Sequence, residues 1–208
     1  MKKDYAPTII IILSLLAIFG VLFFFVKQSI NLKKDVDAKN VIRATSPDIL
    51  SPGAIIFTNI GNIEIEFMGS VAPKTIYNFM TLARRHFYDG TKFHYLVKDI
   101  LVQGGDPLSK GDNASLYGTG GPGYTLEDEI TGIPMTRGIV AMAKSGKMTS
   151  GSQFFIVTSH DEVTSLNGKF TVFAKVKTGL DVLEQINSAP TQNNVPTYPI
   201  VIDHIDLR

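Results

Sequence analysis

Two stretches of the chain place amides and aromatic side chains beside glycine turns, an arrangement that favours a groove. The first, residues 93–106, has the apolar residues of a strand followed by Gln103 and the pair Gly104-Gly105. Two residues without side chains let the backbone turn sharply or be approached closely by a ligand. The second, residues 138–157, repeats the order of apolar strand, glycine loop, amide and aromatic pair. Together they predict an apolar groove edged with amides, and two ordinary core strands are the alternative.

Other kinds of site find little support in the sequence. Residues 118–123 match G-x-G-x-x-G, but a dinucleotide site needs a strand before that pattern and a helix after it. Asp106, Asp112 and Asn113 lack the spacing of a calcium-binding loop. The four histidines are scattered, and no serine lies in a nucleophile elbow. We therefore expect no cofactor and no metal ion, and we interpret residues 107–117 as an extended loop beside the groove.

The two stretches resemble the cyclophilins, a family of peptidyl-prolyl isomerases. The first carries the F-H pair and the Q-G-G-D of the family pattern F-H-R-x-x-x-x-F-M-x-Q-G-G-D, and the second carries M-A and S-Q-F-F-I. Four motifs match in the family's order, at residues 93–106, 118–129, 138–157 and 166–176. The similarity runs from about Pro52 to Leu207, which is nearly all of the chain outside its N-terminus.

The elements that must position these residues are many short strands and two separated helices. The helix pattern begins at Pro73, and a second helix is predicted over residues 180–187, with Leu180, Leu183 and Ile186 facing inward. Strands are predicted at residues 54–58, 63–67, 93–97, 100–103, 137–143, 153–158, 170–176 and 201–207. This order indicates a closed antiparallel barrel. The cyclophilin resemblance implies the same mainly β fold, a closed eight-stranded antiparallel β-barrel capped by two α-helices.

The resemblance also implies a role for individual side chains. Three residues would act at the reacting bond or line the groove: His94, Tyr95 and Gln103. Six would bind the peptide, five around the proline ring and Ala143 at the backbone: Ile100, Leu101, Ala143, Phe155, Leu166 and Phe170. Rotation about a prolyl bond has a barrier of about 18–20 kcal/mol that comes from amide resonance. An enzyme needs no covalent chemistry to lower it, only tighter binding of the twisted amide than of the planar forms.

One departure from the family pattern concerns catalysis. The arginine that follows the F-H pair in the family is Tyr95 here. A tyrosine donates one neutral hydrogen bond, whereas bonds from charged donors are roughly twice as strong. Loss of a preorganised donor costs about 10²–10³ in rate in other enzymes. We therefore predict an intact groove with reduced isomerase activity on proline-containing polypeptides; a non-catalytic module that binds proline-containing segments or a partner protein is the alternative.

The N-terminal region predicts a membrane anchor. After a short tail at residues 1–8, residues 9–26 form an apolar run without a charged residue. As a helix, this run spans about 27 Å, enough for one membrane crossing. It is longer than the apolar region of a cleaved signal peptide, typically about 7–15 residues. A single-pass, uncleaved anchor is predicted, and a cleaved signal peptide is the alternative.

The rest of the chain divides into a tether and one globular domain. Residues 27–50 are polar and charged and predict a tether, and residues 51–208 form the cyclophilin-like domain. Counting flanking positive charges alone would place this domain in the cytoplasm. Long domains, however, translocate largely regardless of charge, and a short basic tail is typical of a signal anchor, so we expect the extracytoplasmic side. The net charge of +1 gives no reason to expect nucleic acid as a partner.

Overall fold

The computed structural model describes residues 52–144 and 150–208. The predicted tail at 1–8, anchor at 9–26 and tether at 27–50 lie outside the described residues. Within the described ranges, no helix combines the length and the apolar character that crossing a membrane requires.

Strands are the most abundant regular elements of the described structure. They are β1 (Gly53–Thr58), β2 (Gly61–Phe67), β3 (Tyr95–Val97), β4 (Leu101–Gly104), β5 (Ile139–Lys144), β6 (Ser150–Val157), β7 (Val172–Thr178), β8 (Thr191–Gln192), β9 (Val195–Pro196) and β10 (Ile202–Leu207). Eight of them form one antiparallel sheet in the order β10-β1-β2-β7-β5-β6-β4-β3, while β8 and β9 form a separate hairpin. The mainly β prediction with eight principal strands is therefore confirmed.

Side-chain alternation explains how β2 sits in this sheet. Ile63 and Ile65 are fully buried, whereas Glu64 and Glu66 lie on the opposite face. The Glu64 carboxylate accepts a hydrogen bond of 3.0 Å from Lys177 Nζ on the neighbouring β7. Alternating apolar and polar residues are what a strand with one buried face requires.

Helix α1 (Pro73–Arg84) closes one side of the apolar interior. Its buried stripe contains Ile76, Phe79, Met80 and Ala83, as the sequence predicts. The helix has no N-cap side chain of its own. The Glu129 carboxylate supplies that function from a distant loop, because it accepts hydrogen bonds from the Lys74 and Thr75 backbone amides at 3.2 and 2.8 Å.

Helix α2 (Leu180–Asn187) has the predicted bounds but not the whole predicted face. Leu183 and Ile186 are buried, whereas Leu180 is 43% exposed, so its inward placement is wrong. The buried stripe is centred on Val182, Leu183 and Ile186. At about 100° per residue, Leu180 lies roughly 120° from the centre of that stripe.

The sheet separates two apolar clusters. The larger one fills the concave interior, where Phe79 packs against the rings of Phe154 and Phe173 at centroid distances of 5.6 and 5.1 Å. The smaller one lies on the outer face of β4, β5, β6 and β7, and its buried members are Met135, Ile139, Ala141, Ala143, Phe155, Val157 and Val172. Because the interior is already filled, any groove for a ligand must be built on the outer face.

The prediction of a closed barrel is wrong, because β3 and β10 end the sheet without pairing with each other. Residues just before β3 bridge the gap to the beginning of β10 and the residues before it. The Gly90 amide donates to the Ile202 carbonyl at 2.8 Å, and the Phe93 amide donates to the Ile200 carbonyl at 2.9 Å. Strand β3 is only three residues long, so it ends before a full ladder can form. The result is a curled half-barrel whose edges meet along an irregular seam.

Candidate functional site

A row of cross-strand neighbours crosses the outer face of the sheet. Tyr95 on β3 is opposite Gln103 on β4, and Gln103 is opposite Phe155 on β6, which is in turn opposite Ala141 on β5. Residues directly opposite in antiparallel strands project to the same face. The register therefore sets a phenol, an amide and a benzyl ring side by side. Tyr95 is 38% exposed at one end of this row, whereas Phe155 is buried.

A chain of amides fixes the orientation of Gln103. Its Nε2 donates to Gln153 Oε1 at 2.8 Å, and Gln153 Nε2 donates in turn to the Gly120 carbonyl at 2.8 Å. A side-chain amide has one carbonyl and one NH₂ group. Because the Gln103 NH₂ group donates to Gln153, the Gln103 carbonyl oxygen is the end of this series of hydrogen bonds. Gln153 was not among the predicted site residues, although it lies in the S-Q-F-F-I segment that carries the family resemblance.

An apolar pocket lies next to this row. The rings of Phe155 and Phe170 meet edge to face at a centroid distance of 5.1 Å. The structure gathers five predicted peptide-binding residues in the outer-face cluster: Leu101, Ala143, Phe155, Leu166 and Phe170. Ile100 is placed apart from them, 38% exposed in the turn before β4.

A cavity of about 540 Å³, which was not predicted, opens beside Gln153. Its walls are residues 119–125 and 151–153, with Ala143 between them. The glycine-rich segment 119–125 was the sequence feature that pointed to this cavity. Glycine has no side chain, and the backbone of this segment forms much of one wall. At Gly120 only glycine fits, because a Cβ atom would overlap the Asp106 carboxylate.

The segment 107–117 lies at the base of the site. It was predicted to be an extended loop, but its backbone is not extended throughout. It contains two short 3-10 turns, at Pro107–Lys110 and Ala114–Leu116. The buried Asp106 carboxylate holds both ends of the segment, since it accepts hydrogen bonds from the backbone amides of Leu108 and Gly118. The segment is therefore a structured loop fixed to the strand that carries Gln103.

His94 lies outside the row of groove-facing residues. It is 2% exposed, and its Nδ1 lies 3.3 Å from the Lys92 carbonyl oxygen. Burial lowers the pKa of its imidazole, an effect that the nearby Asp106 carboxylate opposes. His94 lines a separate cavity of about 220 Å³ together with Tyr117.

A cation lies at the rim of the apolar pocket. Lys144 Nζ is 2.7 Å from Asp128 Oδ2 and 5.7 Å from the centroid of the Phe170 ring. The Asp128 carboxylate offsets the positive charge of Lys144. Lys144 and Asp128 make the rim of the pocket polar, whereas the wall beside it is apolar.

The comparisons with known proteins agree with this geometry. The profile of the family described as "Cyclophilin type peptidyl-prolyl cis-trans isomerase/CLD" matches residues 54–207. Peptidyl-prolyl cis-trans isomerase cypE of Dictyostelium discoideum is 42% identical over 148 residues, covering 70% of this chain and 90% of that protein. Peptidyl-prolyl cis-trans isomerase B of Bacillus subtilis is 39% identical over 148 residues, covering 70% of this chain and 97% of that protein.

Solved structures show the same similarity. A Cryptosporidium parvum cyclophilin type peptidyl-prolyl cis-trans isomerase, crystallised in the presence of the dipeptide Ala-Pro, superposes with a TM-score of 0.67 at 33% sequence identity. The match covers 75% of this chain and 98% of that one.

Proposed function

The chain belongs to the cyclophilin-type peptidyl-prolyl cis-trans isomerase family, and on that premise we propose how its groove isomerises prolyl bonds and at what rate. The observation that carries the proposal is the row of Tyr95, Gln103 and Phe155 beside an apolar pocket. It combines a surface for a proline ring with hydrogen-bonding groups for the flanking peptide.

The mechanism is differential binding of the twisted amide. Phe155, Phe170 and Leu101 hold the proline ring, so rotation is confined to the peptide on its N-terminal side. The Gln103 amide, held by Gln153, bonds the peptide backbone and keeps it in place during rotation. The Tyr95 hydroxyl donates to the prolyl nitrogen, whose lone pair becomes available only when conjugation is lost. Each contact that is stronger in the twisted state lowers the barrier.

The rate is expected to be lower than that of a family member with the arginine. Tyr95 offers one neutral donor, and Lys144, the cation at the rim of the apolar pocket, is paired with Asp128. Removal of a preorganised donor costs about 10²–10³ in other enzymes. A second function follows from the same observation: without a charged donor, the groove serves as a binding module for proline-containing segments.

The natural substrates are proline-containing polypeptides whose folding the protein assists. The Ala-Pro dipeptide with which the Cryptosporidium parvum relative was crystallised supports this class of ligand. The apolar run at residues 9–26 supports attachment to a membrane by one crossing, with residues 51–208 on the extracytoplasmic side.

The test is catalysed cis-to-trans exchange of a short Ala-Pro peptide by the purified full chain. Gln103→Ala and Tyr95→Arg variants are measured beside it. We expect exchange above background that falls in Gln103→Ala and rises in Tyr95→Arg. No exchange in the native chain, with activity appearing only in Tyr95→Arg, would replace the isomerase function with the binding function. Absence of exchange in all three proteins would refute the groove assignment.

A further inference from the structure

A small hairpin beside the groove brings a residue from the C-terminal part of the chain to Tyr95. Strands β8 and β9 are joined by a two-residue turn, Asn193-Asn194. The Asn194 carbonyl accepts a hydrogen bond of 2.7 Å from the Leu96 amide on β3. Its side-chain Nδ2 lies 3.4 Å from the Tyr95 hydroxyl, to which it donates. The hairpin thus contacts two consecutive residues of the strand that carries the proposed donor.

The backbone conformation of this turn would favour glycine over asparagine at position 194. Both central residues are left-handed, with φ of 53° at Asn193 and 64° at Asn194. Two-residue hairpin turns of this kind favour glycine strongly, particularly after a leading asparagine. Glycine adopts this conformation without steric cost, whereas any side chain is less favourable there. Position 194 therefore carries a side chain, although its backbone conformation favours glycine.

The direction of the hydrogen bond matters for the chemistry. A phenolic oxygen accepts through its lone pairs and donates one proton. Because Asn194 donates to the Tyr95 oxygen, the proton of that hydroxyl remains available to a group in the groove. A hydroxyl that accepts one hydrogen bond also becomes a better donor, since linked bonds polarise one another.

We propose that Asn194 is a positioning residue for Tyr95, which orients the hydroxyl so that its proton points to the prolyl nitrogen. The inference rests on the isomerase function proposed above and names the residue that supports its neutral donor. Asn194 acts through Tyr95 and not on the peptide, so its removal should lower kcat and leave KM unchanged. The Leu96 bond uses only the backbone of residue 194, so it remains after the side chain is removed.

The test compares Asn194→Gly with Asn193→Gly in the full chain. Both changes place glycine in the same turn, and only the first removes the amide that reaches Tyr95. We expect kcat to fall about 2- to 10-fold in Asn194→Gly, as the loss of one neutral hydrogen bond implies. Asn193→Gly should match the native chain. Equal activity in both variants, or an equal fall in both, would overturn the assignment.

Asn194→Gly and Asn193→Gly are also compared in a Tyr95→Phe background. This comparison shows whether Asn194 affects kcat through the Tyr95 hydroxyl. With the hydroxyl gone, Asn194→Gly should cause no further fall in kcat. A fall as large as in the native background would mean that Asn194 acts elsewhere, and the proposal would be withdrawn.

A second readout separates this inference from the isomerase function. The NMR shifts of the Asn194 side-chain amide protons should move in Tyr95→Phe, while those of Asn193 stay constant. If the native chain shows no catalysed exchange, the proposed function fails, and this measurement still tests the contact between Asn194 and the Tyr95 hydroxyl. Unchanged Asn194 amide shifts in Tyr95→Phe would refute the contact itself.

Discussion

Replacement of Gln153 by methionine tests whether the amide chain controls catalysis. Methionine is similar in length to glutamine but has no amide, so Gln103 Nε2 and the Gly120 carbonyl both lose the partner that holds them at 2.8 Å. Both of these groups belong to partly exposed residues, and water can take over their hydrogen bonds. The free energy of unfolding should therefore fall by only about 1 kcal/mol.

The effect on rate should be larger than the effect on stability. The terminal torsion of a glutamine has two broad preferred orientations, so an unheld Gln103 amide spends roughly half its time reversed. That reversal follows from the loss of one neutral hydrogen bond, which is worth a factor of about 2–10. We therefore predict that kcat/KM falls about 2- to 10-fold. The assay is cis-to-trans exchange of an Ala-Pro peptide, with thermal unfolding measured on the same samples.

Gln153→Glu provides the matched control. A carboxylate still accepts from Gln103 Nε2 but can no longer donate to the Gly120 carbonyl. If the orientation of Gln103 sets the rate, Gln153→Glu should keep more activity than Gln153→Met. Equal losses in the two variants, or a change below twofold in Gln153→Met, would refute the reasoning.

Three further predictions concern stability, pH and the membrane. Glu129→Gln should lower the free energy of unfolding by about 0.5–2 kcal/mol, since the carboxylate caps helix α1 at Thr75; chemical denaturation will measure it, and an unchanged midpoint would contradict it. Burial lowers the pKa of His94 in the folded state. The unfolded state therefore binds the proton more readily, and stability should fall as pH drops below the unfolded pKa, by at most about 1.4 kcal/mol per unit. His94→Asn should flatten that fall below about pH 6.5, and an unaltered pH slope would exclude His94 as its source. Deletion of residues 9–26 should release the chain from membranes that retain the full protein after alkaline extraction, and release of the full protein as well would argue against an anchor.

Local patterns in the sequence predicted most of the elements. The alternation of Ile63 and Ile65 with glutamates identified β2, and the stripe of Ile76 and Phe79 identified helix α1. Both signals depend on residues a few positions apart, which a strand or helix must place on one face. The motifs around Gln103 and Phe155 indicated the family for the same reason, since each motif is contiguous.

The seam and the hairpin could not be predicted in this way. Strands β8 and β9 have two residues each, too few for any periodic pattern to appear. Closure of the barrel depended on whether a three-residue β3 could reach β10, and it does not. The spacing of Leu180, Leu183 and Ile186 predicts that all three face inward, but the packing of α2 buries Val182 in place of Leu180.

The sequence by itself determined the family, the alternating strands, the two helices of the domain and the replacement of an arginine by Tyr95. Only the tertiary structure decided what surrounds that tyrosine. Gln103 lies opposite it through strand register, Gln153 holds Gln103 from 50 residues away, and Asn194 reaches the hydroxyl across 99 residues. Such contacts depend on how separate strands align and how the sheet curls, and neither is encoded by the spacing of residues within one strand.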